Sequence, residues 1–182
     1  MPDGGATPGR RSTARRASIR AERNAIRGGD RIRSRRAGRR LALAAVFEAE
    51  FGQRTATAIL ERHLAEIDAD AETAGLARSL VAAVVDKRDR IDAEIERAAP
   101  QYPVVSMARI DRALLRCALG EVLHSGTTPA RVAIAEWVEL ARIYSGEPIR
   151  RLMNGVLGRI ATETSLASSR QETSRPPGPR GS

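Results

Sequence analysis

Arginine supplies most of the side chains in this chain that could do chemistry. Arg35, Arg36, Arg39 and Arg40 stand at the head of an apolar segment. A second group, Arg109, Arg112 and Arg116, is spaced three and four apart, which lines one face of a helix. Guanidinium groups so arranged suit phosphate oxygens, which they bind as paired donors. For the first group, joined to a basic arm, phosphate contact is the favoured reading. For the second, salt bridging to the acid-rich body competes evenly. Bond chemistry finds less support: the chain contains no GxGxxG, P-loop, GxSxG, HExxH or CxxC pattern. His63 reads as a surface or half-buried residue, and His124 as a cation at a helix end. With one cysteine, Cys117, and two histidines, neither a disulfide nor a metal cluster is expected.

The net charge of +9 over 182 residues is unevenly spread. Residues 1–40 hold 13 arginines against Asp3, Glu22 and Asp30, whereas residues 41–161 hold 15 basic and 17 acidic residues. A like-charged block with few apolar residues buries too little surface to offset the entropy of ordering, so residues 1–34 are expected to form a disordered basic arm that meets a polyanion. An Arg-rich leader with Ser12 and Ser18 is also the composition of an organelle-import segment, but Arg15-Arg16 lacks the apolar stretch of a twin-arginine signal. No apolar run approaches the roughly 20 residues of a membrane span. A reducing cytoplasm is the expected compartment.

From Arg39 onward the apolar residues recur at helical spacing, without sustained alternation of the strand kind. Leu43, Val46, Phe47 and Phe51 mark a first helix ending at Gly52, and Ile59, Leu60, Leu64 and Ile67 a second. A long third carries Leu76, Leu80, Val84, Lys87, Ile91, Ile95 and Ala98 before Pro100 and Pro103 end it. Residues 106–124 are apolar over most of their circumference, which predicts a helix in the middle of a bundle. Thr128 and Pro129 read as cap and first turn of the next helix, which buries Trp137, and Pro148 opens the last. Residues 162–182, rich in Ser, Pro, Gly and Thr, read as a disordered tail. The expectation is an all-α protein, a globular bundle of about seven helices in residues 35–161. The five aromatics, Phe47, Phe51, Tyr102, Trp137 and Tyr144, are expected to serve mainly the core.

The last helix contains Asn154, Gly155 and Gly158, which gather with Arg151 opposite its apolar stripe. Each glycine costs about 1 kcal/mol against alanine inside a helix, so a close approach by another backbone is expected there.

Read in order, IDRALLRCALGEVLH, TTPARVAIAEWVELARIYSGE and NGVLGRIA, with RRLALAAVFEAEFG at 39–52, resemble the NusB family of transcription antitermination factors. The resemblance covers residues 35–161. It implies two small packed helical subdomains, no cofactor and no enzymatic activity. It further implies binding of a single-stranded boxA segment of ribosomal RNA leader transcripts, jointly with the ribosomal protein NusE, within an RNA polymerase antitermination complex. On that resemblance Arg35, Arg36, Arg39, Arg40, Arg112 and Arg116 contact RNA, and Asp111, Tyr144, Glu147, Leu152 and Asn154 form the partner surface. The sequence departs from the family pattern at Gly120, Ala135, Trp137, Pro148-Ile149 and Leu152. Two alternatives accompany this reading: a helical protein-interaction module, and the RNA-binding domain that precedes rRNA methyltransferase domains.

Overall fold

The computed structural model describes the backbone of residues 9–173 and the side chains of residues 27–167. Among the described residues there are six α-helices and no strand: α1 (Gly9–Ala49), α2 (Ala56–Glu66), α3 (Ala71–Ala98), α4 (Arg109–Gly120), α5 (Ala130–Tyr144) and α6 (Glu147–Thr173). A 3-10 turn, Val104–Ser106, precedes α4, and a π-helical turn, Glu121–Ser125, prolongs it. Helix α3 breaks at Lys87, where φ is −119° and ψ is 17°. Counting its two halves gives seven helical segments. Lys87 is the residue at which the apolar stripe of α3 is interrupted.

Helices α1, α2 and α3 form one subdomain and α4, α5 and α6 the other, with α4 packed on both α1 and α3. The expected central helix is central: Leu114, Leu115, Cys117, Ala118 and Leu119 are wholly buried, in one apolar cluster that continues through both subdomains. Two glycines let helices close. An added Cβ on Gly38 would lie 2.9 Å from the Thr73 carbonyl oxygen, and one on Gly120 would lie 3.3 Å from Val84 Cγ2. Gly120 therefore lets α4 close onto α3.

Caps follow local chemistry. The Thr55 hydroxyl accepts from the Ala58 amide at 3.2 Å, and Asp70 accepts from the Thr73 amide at 2.9 Å. Thr128 makes no such bond to α5, since its hydroxyl is turned toward Glu121.

At the N-terminal side residues 9–34 continue α1 without interruption. Between Pro8 and the packed part of α1 there is no proline, and alanine and arginine are good helix formers, so a helix anchored at one end extends without a new nucleation cost. Residues 30–35 are also tied to the start of α3: Arg31 Nε lies 3.4 Å from Glu72, and Thr73 donates to the Ser34 carbonyl at 3.2 Å. Likewise α6 runs on to Thr173, with Thr162 and Ser165 donating to carbonyls four residues back, each at 2.9 Å. Residues 1–8 and 174–182 of the expected arm and tail lie outside the described residues.

Candidate nucleic-acid interface

The basic entry of α1 divides into two faces. Arg36 and Arg40 are exposed, whereas Arg35 is half-buried and Arg39 is only 2% exposed. The Arg39 guanidinium lies bidentate on Glu121, Nε to Oε2 at 2.9 Å and Nη2 to Oε1 at 2.7 Å. The same carboxylate accepts from Trp137 Nε1 at 2.7 Å and from the Thr128 hydroxyl at 2.5 Å. Arg35 joins this network by donating to the Thr128 hydroxyl and by pairing with Glu72 at 3.1 Å. Burial pushes the Glu121 carboxyl upward, but donation from Arg39, Thr128 and Trp137 more than reverses this, so its pKa stays below the ordinary value. Arg39 is thereby reassigned from the expected phosphate contact to a buried structural pair.

Arg36 points the other way and pairs with Glu136 of α5 at 2.9 Å. Arg40 forms no ion pair among the described residues. Arg36 and Arg40 line an open cleft of about 510 Å³ between α1 and α5, with Glu136, Glu139, Leu140 and Ile143.

The arginine line on α4 is largely spoken for. Arg116 is bidentate on Asp92, at 2.8 and 2.7 Å, and also reaches Glu50. Arg112 shares Glu50, at 2.8 Å from Nε, and donates to the Val104 carbonyl at 3.3 Å. Salt bridging, not open phosphate contact, is thus the state of both expected RNA-contact residues. Arg109 is exposed, its guanidinium 4.8 Å from the centre of the Phe51 ring.

The expected partner residues fall on neighbouring surfaces. Asp111 accepts from the Ser145 hydroxyl at 2.5 Å, which joins the start of α4 to the α5–α6 turn. Asp111 and Leu152 line one cleft of about 340 Å³ with Tyr102, Met107, Pro148 and Ile149. Tyr144 is exposed at the end of α5. Glu147 accepts from Arg150 at 2.7 Å and from Arg151 at 3.1 Å, which holds its carboxyl down to about 2. Asn154 is exposed two turns further along the face shared with Glu147 and Arg151. An added Cβ on Gly155 or Gly158 would meet nothing within 4 Å, so among the described residues no backbone of another element approaches the small-residue seam there.

Sequence reasoning missed three features. Glu50 and Glu121, the acidic hubs of the two networks, lie in helical runs with no local sign of their role. Three of the five aromatics, Phe51, Tyr102 and Tyr144, are exposed rather than held in the core. His124, expected as a cation at a helix end, is instead disfavoured as one: burial first, then Arg90 and Lys87, lower its pKa, and its Nε2 is buried without a hydrogen bond. Cys117 is buried, and burial pushes its thiol well up, out of the reactive range. No group of three or more metal-capable side chains converges among the described residues.

Two packed helical subdomains entered by a basic helix define a class of all-helical proteins that present surfaces. The family model of NusB matches residues 36–162. The transcription antitermination protein NusB of Heliobacterium modesticaldum is 38% identical over 130 residues, which cover 71% of this chain and 63% of that protein, just under two thirds of its length. The protein of the same name from Dehalococcoides mccartyi is 34% identical over 139 residues, covering 76% of this chain and 97% of that one. The solved structure of T. maritima NusB superposes with a TM-score of 0.66 at 32% identity, over 71% of this chain and 91% of that chain. The chain belongs to the NusB family, a family of non-enzymatic transcription antitermination factors. A NusB chain solved in complex with NusE and double-stranded RNA shares the fold, with a TM-score of 0.65 at 20% identity, over 72% of this chain and 98% of that one. No helix of the described residues is long and apolar enough to cross a membrane.

Proposed function

We propose that this protein is a transcription antitermination factor that binds a single-stranded boxA-type segment of ribosomal RNA leader together with NusE, in the cytoplasm and within an RNA polymerase complex. The observation that carries the reading is the outward pair Arg36 and Arg40 on α1, held at a fixed rotation by the inward pair Arg35 and Arg39. Guanidinium groups on one exposed helix face, preceded by an arm with nine arginines in residues 1–34, attract a phosphodiester strand. The solved complex of a NusB with NusE and RNA supports the pairing of partners. NusE is assigned the surface that joins α4 to the α5–α6 turn, around Asp111, Tyr144, Glu147, Leu152 and Asn154, where the apolar floor of Pro148, Ile149 and Leu152 gives a docking protein something to bury.

Fluorescence anisotropy with a labelled boxA RNA tests the reading, with and without NusE and against a scrambled RNA. Binding that tightens with NusE and prefers boxA is expected. Indifference to both NusE and sequence would overturn it.

A further inference from the structure

The α1–α2 turn and the middle of α3 enclose an open cleft of about 460 Å³ that the reading above leaves unused. Its lining includes Arg54, Arg88, Arg116, Glu50, Thr55 and Val84. Most arginines of the folded body have a carboxylate of their own: Arg62 pairs with Glu48, Arg78 with Glu61, Arg97 with Glu94 and Glu163, and Arg142 with Glu139. Arg54 and Arg88 are exceptions. Both are exposed, and among the described residues neither forms an ion pair. Glu50, the one carboxylate in the lining, is already paired with Arg116 and with Arg112 beyond the cleft, so it does not cancel Arg54 and Arg88.

The cleft walls add donors rather than acceptors. Helix α2 begins at Ala56, on the cleft, and only one of its first-turn amides, that of Ala58, is taken by the Thr55 hydroxyl. Free first-turn amides and the positive end of the helix favour an anion. Gly52, with φ of 75°, turns the chain sharply enough to set Arg54 at this rim.

We infer that this cleft is a second phosphate site, in which Arg54 and Arg88 take a phosphodiester of RNA lying outside the boxA segment. The inference rests on the RNA-binding reading for its ligand, and on the uncompensated guanidinium pair for its place. Arg36 and Arg40 stand ahead of Val46, Ala49 and Glu50 along the chain and line a cleft with α5 rather than with α3, so a short boxA strand on the first surface leaves the second cleft empty and only a longer transcript fills both.

The experiment compares two RNAs, boxA alone and boxA extended at both ends, on the full chain and on the Arg54→Ala/Arg88→Ala variant. On the extended RNA the variant's plot of log K against log salt should be shallower by about 1.4, about 0.7 for each lost phosphate contact on a single strand. On boxA alone the two proteins should coincide. Arg54→Lys/Arg88→Lys should restore most of the slope, and Arg78→Ala should leave it unaltered. Independently of any RNA, titration of the full chain with inorganic phosphate should move the Nε–Hε resonances of Arg54 and Arg88 more than that of Arg78. Equal slopes on the extended RNA, or immobile Arg54 and Arg88 resonances, would overturn the site. So would capture of a phosphopeptide in the cleft with an unaltered RNA slope. Failure of the wild-type chain to bind boxA at all would instead defeat the boxA reading, and the phosphate titration would still judge the cleft.

Discussion

Arg39 of α1 and Glu121 of the π-helical turn meet as a bidentate pair, 2.9 and 2.7 Å apart, with both side chains almost wholly buried. They join the two subdomains at the point where the basic helix enters the body. A buried pair of this kind stabilises little relative to an apolar pair of the same shape, yet removing one partner strands the other.

Glu121→Ala should therefore lower the unfolding free energy by about 3–5 kcal/mol, because it leaves the Arg39 guanidinium and Trp137 N–H without their acceptor. Urea denaturation measures this. The double variant Arg39→Met/Glu121→Leu should lose less than the single one. A double variant as unstable as Glu121→Ala would mean that the cost is general damage to packing.

Arginines that face solvent and arginines enclosed by the fold should separate in function, even though Arg36 shares its exposed face with Glu136. Arg36→Ala/Arg40→Ala is expected to flatten the salt dependence of boxA binding by about 0.7 per lost contact, with melting almost unaltered. Arg112→Ala should do the reverse, since it strips Glu50 of a buried partner. Deleting residues 1–34 should weaken RNA binding and flatten the slope further. Anisotropy titrations over a salt series, with thermal melts beside them, decide each case.

Glycines of similar appearance should respond with opposite sign. Gly155→Ala meets open space inside a helix and should stabilise by about 1 kcal/mol. Gly38→Ala places its methyl 2.9 Å from the Thr73 carbonyl oxygen and should destabilise. Gly155→Leu should melt normally, so any defect it shows in complex formation would belong to a partner. Thermal unfolding of the three variants checks the signs.

His124 makes stability depend on pH. Its folded pKa is lowered by burial, by Arg90 and by Lys87, so the unfolded chain binds the proton first. The contribution is complete above the free value near 6.5 and is lost as pH falls from there toward the lower folded value. His124→Gln should remove that part of the slope. Denaturation midpoints at pH 7.5 and 5.5, compared between the two proteins, would refute this by falling in parallel.

Much of the fold was readable in one dimension because it rests on local signals. The stripe Leu43, Val46, Phe47 marks α1, Ile59, Leu60 and Leu64 mark α2, and the two-sided apolar surface of residues 106–124 marks the central helix. The break of α3 at Lys87 is a tertiary feature, for the interrupted stripe alone reads as one continuous helix. Composition reports whether a segment can bury surface, whereas a helix already anchored at Arg39 can extend into water on propensity alone. For the site, the resemblance located the basic entry and the region of Asp111 and Leu152, but not the state of each side chain.

The sequence by itself determined helices, their order, the concentration of positive charge ahead of the body, and membership of the NusB family, since periodicity, caps and charge are properties of neighbouring residues. Only the tertiary structure decided which arginines remain available. Arg39 finds Glu121 across 82 positions, Arg112 finds Glu50 across 62 and Arg116 finds Asp92 across 24, while among the described residues Arg40, Arg54 and Arg88 find no carboxylate. A guanidinium is committed or free according to what the packing of distant helices brings within hydrogen-bond reach, and that distance is fixed only when the helices meet.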